Sequence, residues 1–192
     1  MTKHMITAAA VAAAILAAPA MAGAQSSDAT KAMALPGGSS SLQETFEGWT
    51  LQCAATEAGR ACNVQQQQRH RESKQLVLAV ELATGANGAV SGAFVLPFGL
   101  RLASGAVLQI DDLPVSQPIA FSTCLPVGCV VPLTFDKAAI TRLRSAKALK
   151  VTAAANEDGK AVPFAVSLNG LPAALDRLAA LSQPAAKDGR KQ

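Results

Sequence analysis

The sequence predicts an all-β sandwich with two short helices. Three observations carry the prediction. Apolar and polar residues alternate with period two along many short segments, those segments follow one another at close spacing, and turn residues separate them. The chain has 192 residues, which suits one ordinary domain. It is 50% hydrophobic and 16% charged, too apolar for a disordered protein and sufficient for a real core. Nothing in the composition supports a collagen, a coiled coil or a multi-span membrane protein. A β-barrel is the structural rival, because spacing does not reveal whether a sheet closes on itself.

The N-terminus reads as an address. Residues 1–24 form a secretory signal: Lys3 precedes an uncharged apolar run from Met5 to Ala18, Pro19 breaks it, and Ala22-Gly23-Ala24 supplies small residues at a cleavage site before Gln25. Cleavage after Ala22 is the alternative. The run is too short for a membrane span, which needs about 20 apolar residues. Cleavage at Ala24 removes Lys3 and no acid, so the net charge falls from +4 to +3. Residues 25–44 read as a flexible leader, residues 45–182 as the folded domain and residues 183–192 as a flexible tail, on glycine, serine and charge content.

Export makes disulfides the expected state of the cysteines. Four cysteines allow three pairings. Local pairing, Cys53 with Cys62 and Cys124 with Cys129, is favoured because each pair brackets a short turn-rich segment. A four-thiolate zinc site wants two tighter knuckles, and Cys53 and Cys62 stand too far apart for one.

The elements follow in order. Trp49, Leu51 and Cys53 alternate with polar residues, as do Cys62 and Val64, with the loop AATEAGRA between the two segments. Gln75–Leu82 is apolar on both faces and reads as a central strand. Further strands are expected at Val90–Leu96, Val107–Ile110, Ile119–Thr123, Cys129–Leu133, Leu149–Ala153 and Val162–Leu168. Pro132 makes its segment an edge strand at best. Asp136 caps a helix running to about Ala146, and Pro172 opens a second that carries Leu171, Leu175, Leu178 and Leu181.

Most catalytic chemistries lack their residues. After cleavage His70 is the only histidine, set in the polar stretch QQQQRHRES, so it reads as a solvated loop residue and no Ser-His-Asp triad is apparent. Asp111-Asp112 is the best carboxylate pair, but adjacent strand residues face opposite ways and the pair sits where a strand ends. Glu157-Asp158-Gly159 is a turn, too sparse for a calcium loop. No phosphate loop or dinucleotide fingerprint occurs, so no cofactor and no metal site is expected. The main charge feature is Lys137, Arg142, Arg144, Lys147 and Lys150, a patch suited to an anionic envelope component or an acidic protein, with a solvated helix face as the plainer reading. Nucleic acid does not suit an exported chain without aromatic platforms. Arg69, Arg71 and Lys74 form a smaller basic group beside the run Gln65–Gln68, an amide ladder that is ordinarily just solvated.

These motifs resemble the invasion-associated locus B family of exported alphaproteobacterial proteins. The resemblance rests on Trp49-x-Leu51-x-Cys53, Cys62-Asn63-Val64-Gln65, Leu96-Pro97-Phe98-Gly99-Leu100, Leu108-Gln109-Ile110-Asp111, Cys124, Gly128-Cys129 and Val166-Ser167-Leu168-Asn169-Gly170-Leu171, in family order across about residues 45 to 181. It implies an immunoglobulin-like β-sandwich and a periplasmic, outer-membrane-associated or secreted protein without known catalytic residues. The expected function is a non-catalytic envelope protein that binds a host or envelope partner through its sandwich surface and assists host-cell invasion. A periplasmic assembly or stress factor is the alternative, and a carboxylate-dependent hydrolase using Asp111 or Asp112 the remote one.

Overall fold

A computed structural model describes residues 35–57, 59–85 and 89–182. The expected signal peptide, the first ten residues of the leader and the tail lie outside the described residues. Among the described residues ten strands form two sheets: β1 (Ser41–Phe46), β2 (Trp49–Thr56), β3 (Gly59–Arg69), β4 (Leu76–Thr84), β5 (Val90–Leu96), β6 (Ala106–Ile110), β7 (Thr123–Leu125), β8 (Gly128–Phe135), β9 (Ala148–Ala154) and β10 (Ala161–Ser167). Two helices interrupt them, α1 (Lys137–Ser145) and α2 (Leu171–Ser182). The large sheet has the order β1-β2-β3-β4-β5-β8-β7 and the small one β10-β9-β6. All of these pairings are antiparallel. The two-sheet β-architecture with two helices expected from the sequence is therefore present.

Alternation builds one core between the layers. Leu51, Val64, Val80, Phe94 and Val131 of the large sheet, Val151 and Val166 of the small sheet, and Leu143, Leu171 and Leu178 of the helices are at most 1% exposed and belong to one cluster. Full burial of such a side chain contributes roughly 1.5–3 kcal/mol. The small sheet is too narrow to cover the large one, and α2 packs on β1, β2, β3 and β4. Asp136 caps α1 as expected, its carboxylate accepting from the Ala139 amide at 2.7 Å. Gly170 ends the turn before α2 at φ 84°, and a Cβ there would collide with the Phe46 carbonyl, so the position needs glycine for conformation and for space.

Several boundaries differ from expectation. β1 takes Ser41–Glu44 from the expected leader, and Leu35, farther upstream, is 2% exposed within the core. β2 and β3 run on to Thr56 and from Gly59, so most of AATEAGRA is strand, because the hairpin reverses tightly. In the segment 119–123 only the ends pair, Ile119 as a bridge to Ala106 and Thr123 as the first residue of β7. β8 extends to Phe135. Its partner β7 reaches only Gly128–Val130, so Pro132 sits where the outer side of β8 has no strand beside it.

The borders of the small sheet are sealed by side chains and loop. Trp49 Nε1 and Gln66 Nε2 both donate to the Ser167 carbonyl, at 2.9 and 3.1 Å, and Gln68 Nε2 donates to the Ala165 carbonyl at 2.7 Å. These groups satisfy acceptors on the free side of β10. On the other border, Ser116 and Ile119 bond the backbone of Leu108 and Ala106.

Candidate functional site

Inner and outer faces of the large sheet separate cleanly by register. One outward row reads Thr45, Thr50, Gln65, Glu81, Ala93, Pro132, and the next Gln67, Ala79, Val95, Val130, Thr123. Polar residues occupy the β1–β3 side and small apolar residues the β4–β8 side. Large side chains are missing from the floor, which leaves an open trough of about 490 Å³. Ala79, Ala83, Gly92, Ala93, Val95 and Val130 line its apolar part.

One wall is the hairpin between Cys124 and Cys129. Its tip projects Leu125 and Val127, 45% and 59% exposed, over the trough. The hairpin that carries them is held twice. Cys124 and Cys129 face each other across the ladder and are bonded. Gly128, at φ 148°, lies so close to the Leu96 carbonyl that no Cβ would fit. The other wall is polar: Arg69 donates to the Lys74 carbonyl at 3.2 Å and to Gln67 Oε1 at 3.2 Å, and Glu81 accepts from Asn63 Nδ2 at 2.7 Å, while Asn63 Oδ1 is buried without a hydrogen-bond partner.

The structure distributes the sequence-predicted residues among several places. Cys53 and Cys62 are also bonded directly across their ladder, so both pairs follow the favoured local connectivity. Lys137, Arg142, Lys147 and Lys150 are exposed. Arg144 does not join them. It is half-buried, bonded to Asp176 at 2.8 Å and donating to the Pro172 carbonyl at 3.3 Å, and so pins α1 to α2. Arg142 shares a shallow depression with Asp112, which dilutes the positive field.

Asp111 is occupied structurally. Its carboxylate accepts from the amides of Lys147 and Ala148 at 2.8–3.1 Å, tying the end of β6 to the start of β9. His70 lies in the β3–β4 turn, where Nδ1 accepts from the Ser73 amide at 3.4 Å. The Asp158 carboxyl is held below its ordinary range by hydrogen bonds from Lys160, within the polar turn 156–159. Half of the glutamine run departs from the solvated reading. Gln66 is 7% exposed and Gln68 half-buried, both bonded to β10, while Gln65 and Gln67 line the trough. Among the described residues no three His, Cys, Asp or Glu side chains converge as a metal site.

Sequence reasoning did not find the trough. Its small floor residues are unremarkable singly, and only the register assembles them. The exposed Leu125 and Val127 do leave a signal, since two apolar residues in a six-residue cysteine-bracketed loop have no core to enter.

Fold and face together define a doubly stapled, two-sheet β-protein with an open apolar trough. A family model described as "Invasion associated locus B (IalB) protein" matches residues 49–179. The chain is 43% identical over 152 residues to an "Invasion protein B homolog" of Brucella abortus (strain 2308), covering 79% of this chain and 87% of that protein. It is 34% identical over 151 residues to "Invasion protein B" of Bartonella bacilliformis, covering 78% and 81%. A crystal structure of invasion associated protein b from Bartonella henselae superposes with a TM-score of 0.68 at 34% identity, covering 73% of this chain and 96% of that one. The chain belongs to the invasion associated locus B family.

Proposed function

We propose that this chain is an exported, non-catalytic recognition module of the periplasm or cell exterior that assists invasion by docking a host or envelope protein in the trough of its large sheet. The observation that carries the reading is the trough itself: a small-residue apolar floor beside two exposed apolar side chains on a disulfide-pinned tip. Burying such a face is favourable only against another apolar surface. The carboxylates and the histidine singled out from the sequence serve turns and strand ends, which supports recognition over turnover. The names of the relatives support the invasion role. Two disulfides and the leader sequence support an oxidising compartment. Among the described residues no helix is long and apolar enough to cross a membrane.

The test is site-specific photocrosslinking in intact cells, with a photoreactive residue at position 127 and another at position 152 on the small sheet. A protein adduct formed at 127 and abolished by Ala93→Arg is expected. Equal adducts from both positions, or none from 127, would refute docking in the trough.

A further inference from the structure

We infer that β1 is a pairing edge and that its occupant is a second copy of this chain, giving a two-fold dimer whose large sheets run continuously through paired β1 strands. The inference starts from how the other sheet borders are closed. The free side of β10 is sealed by Trp49, Gln66 and Gln68, and Pro163 lies in the same strand. The free side of β6 is bonded by Ser116 and Ile119. The border at β8 is shortened by the three-residue β7 and carries Pro132. Short strands, proline and covering groups are the ordinary ways a protein prevents strand addition.

Among the described residues β1 has none of them. Ser41–Phe46 is six residues long and contains neither proline nor lysine. Among the described residues no strand lies on its outer side. The Ala55 amide bonds the Ser40 carbonyl, which places the even-numbered residues of β1 in the hydrogen-bonded pairs with β2. The backbone groups of Ser41, Gln43 and Thr45 therefore project from the free edge. The single charge of the strand, Glu44, is held on the inner face by Arg177 through two bonds of 2.8 and 2.7 Å and no longer guards the border.

The strand is complementary to itself. Antiparallel pairing about Glu44 sets Gln43 opposite Thr45 of the second copy and exchanges their backbone bonds. It sets Leu42 opposite Phe46 at non-hydrogen-bonded positions, where side chains approach closest. Both are only partly buried within one copy and already touch its core. The two Glu44 carboxylates meet at the axis, a like-charge contact that is offset because each is neutralised by its own Arg177. A two-fold interface needs this kind of self-matching patch.

The exported protein is tested by sedimentation across a concentration series and by hydrogen exchange. The mass should double with concentration, and the Gln43 and Thr45 amides should become protected in step, with the Thr134 amide unchanged. Gln43→Pro removes one outward donor per copy and should raise the dimer dissociation constant at least about tenfold, equivalent to ~1.4 kcal/mol. A mass that stays monomeric, or a dimer indifferent to Gln43→Pro, overturns the inference. Protection of Gln43 and Thr45 that is independent of concentration also overturns it, since another segment of the same chain would then lie along the edge. If Gln43→Pro does not fold, the exchange measurement on the unaltered protein decides alone.

Discussion

The seal on β10 makes a quantitative prediction, because two donors share one acceptor. Ser167 O receives Trp49 Nε1 at 2.9 Å and Gln66 Nε2 at 3.1 Å. Removing one donor leaves the carbonyl bonded; removing both orphans it. Gln66→Leu keeps the apolar bulk of a buried side chain but removes its bond to Ser167 and the 3.3 Å bond its Oε1 accepts from Gln68, and should cost about 1–2 kcal/mol. Trp49→Phe loses a donor and part of a large side chain that is 1% exposed, and should cost roughly 2–3 kcal/mol. The double variant should exceed their sum by ~1–2 kcal/mol, the desolvation cost of an acceptor left without a partner. Urea unfolding followed by far-UV circular dichroism measures all four proteins, since Trp49 is the only tryptophan and fluorescence vanishes with it. Additivity within about 0.5 kcal/mol would mean that water reaches the carbonyl, and the seal would not exist.

Two further outcomes follow from named contacts. The Glu44–Arg177 pair should show a coupling of ~1 kcal/mol in a double-mutant cycle at neutral pH, the upper end for a partly exposed pair with bidentate geometry. The bond from Arg177 holds the Glu44 carboxyl below its ordinary 4.5, with desolvation opposing and the Arg177 charge adding to the effect. The stabilisation is therefore complete above that ordinary value and disappears as pH falls through the depressed one, so the same cycle in acid should give no coupling. Replacing Cys124 and Cys129 together by alanine should lower stability by about 2 kcal/mol, from the entropy of so short a loop, and should speed amide exchange at Thr123 and Val130 with little change in β2 and β3.

Much of the fold was legible because period-two apolar patterning reports burial directly. β5, with Val90, Phe94 and Leu96 inward, begins and ends where the sequence places it. α1 and α2 were marked by Asp136 and Pro172. β1 was hidden because its inner face alternates Leu42, Glu44 and Phe46, and Glu44 qualifies as an inward residue only through Arg177, which lies 133 positions away. Gln66 was hidden for the same reason: an amide reads as solvent-facing until a carbonyl from β10 is brought to it. Arg144 looked like free surface charge because Asp176 belongs to another helix. Local pattern carries strands and caps. It does not carry the partners that distant polar residues acquire once the layers stack.

The cover over β1–β4 comes from α2, the last element of the described chain. Half of the broad sheet thus cannot shed water until α2 has docked on it. A protease cut between Gly170 and Leu171 would act as a lid removed, laying Leu51 and Val64 bare to solvent while leaving both sulfur bridges intact.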